Sequence, residues 1–569
     1  MNYSDILRGK YFYPYLFFCY LLAIFVVFVH PVDVQQWQWA DDALYKNNAS
    51  AMLVSLKELV IHQNAVPWLG DFSAVTLSKA PFFSVFIAIS HLAGIPIKFA
   101  EFLLFLPLPF LFWYAVSPLK LPKWPTIFLA SACLLFIPTT GIEIRLVRTV
   151  LFGAISIYCL TALCGLLIRC WTGKGRIWLW SLSAGLAMGL AATTREEAVW
   201  LIIPSIITVL IIIYFAWKNT RLNALILIIP FMAAGYYVPS TIFSTLNYQS
   251  YGVYAPSLRQ HKDFVSLYST LVSLEPERRQ KFVPIGTSTR LKAYEISPLF
   301  SELKSFLEGG VLDSIATHPG HLYMNGWGDK TNAREFFVSN FEFALSKAIV
   351  LSGRTTGEDF IAYCRNTVNE LRDAVADGKI AQGRMGVALL PPIYSNDYMD
   401  VLLSAYKSVD HLFFATESIK RVYTLKPNPV PSVELSWHKF LGTWAANSEC
   451  SLQKFSDYLF NQMLIPALKY CYFPILILSI ISLSFLYRVK EQYIVLYFIM
   501  AIVSLSALAS FNLAMGTVNT IGWPLLKYPG SYNAMGYYPL HFIMLITSTV
   551  VLKAIMHKSK NTRTDTNMS

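Results

Sequence analysis

The chain has 569 residues, 55% of them hydrophobic and 15% aromatic, and only 14% carry charge. Several apolar runs reach or exceed the roughly 20 residues that span a bilayer. This excludes a water-soluble globular protein and predicts a polytopic membrane protein, mainly α. Forty-six basic against 34 acidic residues give a net charge of +12. In a membrane protein such an excess belongs to cytoplasmic loops, so no nucleic acid partner is expected.

The first apolar segment, 11–30, follows Arg8 and Lys10 and has no small-residue cleavage site. It is expected to be a retained helix that leaves the N-terminus in the cytoplasm. An acidic outer loop, 31–80, follows, with Asp41, Asp42 and Tyr45 near its start and Lys79-Ala-Pro81 at its end. The run 82–97 is interrupted by His91, Gly94 and Pro96 and reads as a juxtamembrane or re-entrant helix. Crossings are expected at 102–116, 126–140, 149–168, 177–194, 199–217 and 222–243. The basic connectors Lys120/Lys123, 169–176 and Lys218/Arg221 then all face one side. Further crossings near 472–486, 493–511 and 538–556, with a basic tail holding Lys553, Lys558, Lys560 and Arg563, bring the total to about ten, both termini inside.

Between them lies a long hydrophilic stretch. The expected division is 1–245 for the membrane catalytic module, 246–466 for a large, mainly helical extracytoplasmic domain, and 467–569 for the C-terminal helices and tail. Within 246–466, Ser297-Pro298 signals a helix start by cap and first-turn proline. Thr356-Gly-Glu-Asp359 opens a helix whose apolar face is Phe360, Cys364, Val368, Leu371 and Val375, ending near Gly378. Residues 334–349 place Phe337, Phe341, Ala344, Leu345 and Ala348 at helical spacing. Most of the cysteines lie in or beside apolar runs as small core residues, and no metal-type Cys/His spacing occurs.

This topology gathers Asp41, Asp42, Lys79, Glu143, Arg145, Arg148, Arg195, Glu196 and Glu197 at one membrane face. Taken singly, the acidic pair reads as a solvated loop and Arg195-Glu-Glu197 as a snorkelling turn at a helix end. Together they offer more. Carboxylates can deprotonate a hydroxyl and cations can neutralise a departing phosphate, both at lipid headgroup depth.

Three motifs in order carry a resemblance. Asp41-Asp42-Ala-Leu-Tyr45 follows the first membrane helix, and Leu77-Ser-Lys-Ala-Pro-Phe82 precedes an apolar helix. A small-residue helix then ends in Gly185-Leu-Ala-Met-Gly-Leu-Ala-Ala-Thr-Thr-Arg-Glu-Glu197. With about seven helices ahead of a divergent C-terminal part, the first 245 residues or so resemble the GT-C-type glycosyltransferases, the superfamily of protein O-mannosyltransferases and the lipid A aminoarabinose transferase. Asp42 stands where relatives often have Glu, Ala80 replaces a proline, and Glu196 replaces the proline after the arginine. Residues 532–541 lack the arginine of the corresponding family stretch.

The resemblance implies a GT-C-like helical module in a bacterial inner membrane, with its catalytic loop and large domain outside. It implies hexosyl or pentosyl transfer from a polyprenyl-phosphate-linked sugar to a hydroxyl of a glycan, lipid A or protein, with inversion. By the same resemblance Asp41 is the general base, oriented by Asp42 or by substrate hydroxyls, and Glu143 is the second carboxylate. Lys79 and Arg195 face the donor phosphate, and Tyr45, Arg145, Arg148 and Glu196 complete the substrate site. No cofactor is required, although a divalent metal, Mg or Mn, could bridge carboxylates and phosphate as in related oligosaccharyltransferases. Two alternatives stay open: a non-catalytic transporter or flippase of lipid-linked glycans, and an O-antigen polymerase or ligase.

Overall fold

A computed structural model describes residues 12–29, 41–62, 66–135, 148–218, 223–274, 283–308, 335–336, 338–383, 397–414, 465–489, 493–517 and 529–566. Helix α1 (Phe12–Val29) is followed by α2 (Asp41–Lys57), which runs on into a π turn, Glu58–His62. The chain therefore enters a helix at the acidic pair where a loop was expected. Two acidic residues in a first turn favour that outcome, because negative charge near a helix N-terminus is stabilised by the helix dipole.

Helices α3 (Phe82–Leu92), α4 (Ile97–Phe105), α5 (Leu108–Val116) and α6 (Lys123–Leu134) come next. At 11 residues α3 is about 16 Å long, half of a hydrocarbon core, so it cannot cross alone. This agrees with a juxtamembrane or re-entrant reading of 82–97. The crossing expected at 102–116 starts earlier, at Ile97, and is broken between α4 and α5. Pro107 and Pro109 cause the break, since neither has an N–H to give to the helix ladder.

The centre of the bundle is α7 (Thr149–Thr172), buried along nearly its whole length. It is flanked by α8 (Ile177–Ala192), α9 (Ile202–Lys218) and α10 (Asn223–Tyr251). Helices α8 and α10 meet backbone to backbone. A Cβ at Gly185 or Gly189 would fall inside contact distance of the Met232 or Tyr236 carbonyl, and one at Gly235 would meet the Leu182 carbonyl. Small residues at such a seam let apolar helices associate by close packing where no hydrophobic driving force exists.

Beyond α10 the chain builds a second core from α11 (Lys262–Ser273), α12 (Thr287–Ile296), α13 (Val338–Leu351) and α14 (Gly357–Ala376). Phe264, Tyr268, Phe300, Phe341, Phe360 and Leu371 fill it, apart from the membrane core. The start of α14 is as expected: the Thr356 hydroxyl accepts from the Asp359 amide at 3.2 Å, and Gly378 takes a left-handed φ of +71° just past its end. The Ser297 hydroxyl likewise caps a short turn, Pro298–Ser301. No strand occurs among the described residues, only isolated bridges.

The chain then continues as α15 (Asp397–Phe414), α16 (Ile465–Arg488), α17 (Ile494–Thr517) and α18 (Pro529–Thr566). Among the described residues six stretches are long and apolar enough to cross a membrane: Ile97–Leu119, Thr149–Thr172, Glu196–Trp217, Ile226–Tyr251, Ile494–Ala514 and Pro539–His557. Shorter apolar helices at Tyr13–Ile24, Ile177–Ala192 and Pro474–Arg488 fill the bundle between them.

Charge collects at the two ends of this bundle. At one end Arg169 donates to the Tyr114 and Ala115 carbonyls, 2.9 Å each, and the Lys553 ammonium donates to the Leu119 carbonyl at 3.2 Å. These cations close the C-terminus of α5, where unpaired carbonyls attract positive charge. The other end, about 30 Å away along α7, holds Arg148.

Candidate functional site

The end of α8 shows how the site is set. The Thr193 and Thr194 hydroxyls donate back to the Gly189 and Leu190 carbonyls, satisfying the last turn of the helix. Arg195 is then extended, and a 3-10 turn, Glu196–Leu201, leads into α9. Three separate pieces of chain are tied to this corner. The Phe82 backbone amide donates to the Thr193 carbonyl at 3.1 Å, Gln260 Nε2 to the Ala192 carbonyl at 3.2 Å, and Arg148 Nη1 to the Thr194 carbonyl at 3.0 Å.

On that frame lies a chain of ionic groups. Arg195 places its fork on Glu197, with Nε to Oε2 and Nη2 to Oε1 at 3.1 Å each, and its Nη1 donates to the Thr149 hydroxyl at 3.2 Å. Arg148 Nη1 is 3.0 Å from Glu196 Oε2, and its Nη2 is 4.0 Å from Glu197 Oε2. Arg259, arriving from the second core, donates Nε to Glu342 Oε1 at 2.7 Å and brings Nη1 to 4.0 Å from Glu196 Oε1. Glu342–Arg259–Glu196–Arg148–Glu197–Arg195 is therefore one continuous path of alternating charge. Arg148 and Arg195 are both about 5% exposed, so the path is held largely out of water.

Burial opposes the charge on Arg259, but Glu342 and Glu196 outweigh it and hold the guanidinium charged beyond its ordinary range. Glu196 Oε1 is buried and accepts no hydrogen bond. That oxygen keeps unused acceptor capacity, with the Arg259 guanidinium 4.0 Å away as its charge partner.

Of the residues expected from sequence, Lys79, Arg148, Arg195 and Glu196 come together here. The Lys79 charge bears on both Glu196 and Glu342. Tyr45 is buried beneath, its ring edge-on to Phe83 at 5.1 Å and 5.9 Å from the Arg148 guanidinium carbon. Because Tyr45 is one turn on from Asp41, the N-terminal end of α2 also reaches this corner. The side chains of Asp41 and Asp42, and all of Glu143 and Arg145, lie outside the described residues.

Arg259 and Glu342 were missed in the sequence, and Glu197 was seen only as part of a charged turn. A signal for Glu342 existed: it is a lone acid beside the apolar stripe Phe341, Ala344, Leu345, Ala348 of α13, where an unpaired carboxylate is costly. Among the described residues no group of three His, Cys, Asp or Glu side chains is arranged to hold a metal ion. The described carboxylates of the corner are engaged by arginines, a setting that disfavours a cation.

A solved structure, that of ArnT from Cupriavidus metallidurans in the apo state, is similar to this chain. The likeness covers 90% of this chain and 78% of that one, at 12% identity and a TM-score of 0.30. Such a superposition assigns no residue of one chain to a residue of the other. No family model matches the sequence, and no curated protein matches it.

Proposed function

We propose that the chain is a membrane glycosyltransferase that passes a sugar from a polyprenyl-phosphate carrier to a hydroxyl acceptor, a glycan, lipid or protein, at the outer face of a bacterial inner membrane. The observation that carries this reading is the ionic path at one end of the bundle. There the first turn of α2, the Lys79 loop, the Arg195 corner and the second core converge at one end of the apolar bundle, and this reading sets that end at the depth of a lipid phosphate.

In this reading Asp41 takes the proton from the acceptor hydroxyl, with Asp42 or the substrate orienting it, and Glu143 lies opposite as the second carboxylate. Lys79 and Arg145 meet the donor phosphate. Arg148 and Arg195, whose forks are already engaged by glutamates and Thr149, act through a fixed positive field that needs no rearrangement as charge builds on the phosphate. Glu196 Oε1 accepts a hydrogen bond from a substrate hydroxyl. One displacement by one activated hydroxyl gives inversion at the anomeric carbon. Among the described residues nothing fits a metal, so no step is assigned to one.

The test is transfer in proteoliposomes, using a defined polyprenyl phosphate sugar and a soluble acceptor. Asp41→Asn should lower the rate by about 10²–10⁴-fold, the usual loss on removing a general base, with unchanged thermal stability. The product should have the opposite anomeric configuration to the donor. Full activity in a well-folded Asp41→Asn protein overturns the assignment of the base. Translocation of the lipid-linked sugar without transfer makes the protein a flippase, and use of a pyrophosphate-linked donor alone makes it a polymerase or ligase.

A further inference from the structure

Helix α15 falls in the stretch that composition assigns to a domain in water, yet its surface is of another kind. Tyr398, Met399, Leu402, Leu403 and Tyr406 are each at least 50% exposed. Their spacing of i, i+1, i+4, i+5 and i+8 puts all five on one side of the helix. Asp397, Asp400 and Ser404 occupy the opposite side. The neighbouring helix α14 is also amphipathic, but it turns Glu358, Asp359, Arg365, Arg372 and Asp373 outward, as a helix facing water does.

The company of α15 differs as well. It packs against α17 and touches α16 and α18. Two of these contain stretches that can cross a membrane, and α16 contains a shorter apolar one. The contact with α17 is close: a Cβ at Gly516 would overlap the Val401 backbone and the Ala405 amide. Val401 and Ala405 thus face the bundle, and the five exposed residues lie beside them on the same apolar stripe. Helices α16 and α17 carry exposed large residues of their own, Ile480 and Ile481 on one, Leu505 and Leu513 on the other. On membrane helices those positions face acyl chains, and the exposed face of α15 continues that surface.

We propose that α15 lies in the membrane's outer margin, with Tyr398, Met399, Leu402, Leu403 and Tyr406 against lipid, Val401 and Ala405 against α17, and Asp397 and Asp400 in the headgroup layer. The two tyrosines suit this depth, where an aromatic body meets lipid and a hydroxyl meets water. The region 246–466 is then not one extracytoplasmic unit. Helix α15 rests in lipid, apart from the core that α11 to α14 build.

The full chain reconstituted in nanodiscs of phosphatidylcholine bearing an acyl-chain diazirine tests this directly, without substitution. After irradiation, mass spectrometry should find lipid adducts on residues 398–406 at a yield comparable to that on Ile229 and Ile242 of α10, and none on 357–376. Adducts on α10 with none on 398–406 would overturn the proposal. So would adducts on 357–376 at the same yield as on 398–406, since labelling would then follow exposure and not contact with acyl chains.

Discussion

Glu197 holds Arg195 by a two-pronged bond and stands 4.0 Å from Arg148, so removing its charge leaves two buried guanidinium groups under-compensated. Breaking a fully buried pair costs about 3–5 kcal/mol. Since the Glu197 side chain keeps 24% of its exposure, we expect Glu197→Gln to lower stability by about 2–3 kcal/mol, scaled from that range. Thermal unfolding in detergent measures it. Arg365→Gln is the control, because the Arg365–Asp263 pair is 59% exposed on the arginine side and such pairs contribute about 0–1 kcal/mol. Equal and small effects from both would show that the ionic path has no structural part. The same geometry alters what is expected of Arg195: with its fork on Glu197, it serves a phosphate by field and not by direct grip.

At the scale of the helix, His261 gives a pH dependence with a definite sign. Its Nδ1 caps α11 by accepting from the Asp263 amide at 3.3 Å, which requires an unprotonated nitrogen. Burial lowers the ring's pKa below its ordinary 6.5, and Asp263 only partly opposes this. A base whose pKa falls on folding contributes fully above the unfolded value and loses stability as pH drops below it. Wild-type protein should therefore lose more thermal stability between pH 7.5 and 5.5 than His261→Asn, which keeps an acceptor at the cap and cannot titrate. Parallel losses in the two proteins would exclude the cap as their source. The helices were legible in the sequence where a local rule was plain, as at the 356–359 capping box and the small-residue helix α8. The break that Pro107 and Pro109 make in 97–116 is instead a departure from the single crossing expected there. Asp41 and Asp42 misled because an acidic pair after a membrane helix fits a loop and a first turn equally well. Arg259 and Glu342 were illegible as site residues for another reason. Their meaning lies in the way Arg259 joins Glu342, 83 positions on, to Glu196, 63 positions back, and no local pattern encodes that.

For the molecule as a whole, the short connectors beside Arg169 carry Lys120, Lys123, Lys174 and Arg176 as well, and such a run of basic connectors is expected on the cytoplasmic side. Lys174, in the exposed turn between α7 and α8, should lie on the cytoplasmic side, and Lys379, just past α14, on the other. A cysteine at Lys379 should react with an impermeant maleimide in intact spheroplasts, and one at Lys174 only after lysis, each read against the unsubstituted protein. Labelling of the Lys174 site in intact cells would invert the protein and move the ionic corner to the cytoplasm. The loop beside that corner has a further property. Trp68 donates to the Asn247 side chain at 2.9 Å and the Leu69 amide to the Tyr251 hydroxyl at 3.0 Å, so the loop is fastened by residues about 180 places later in the chain. At a synthesis rate of about 5–20 residues per second, the ribosome needs some ~10–40 s to reach those partners, and longer still to reach Glu342. For that interval the nascent chain carries the helix that opens on Asp41 and Asp42, and the lysine loop, with nothing to close them. The corner comes into being only when the later part of the chain arrives, and a ribosome that stops near residue 245 leaves behind a membrane bundle whose site was never made.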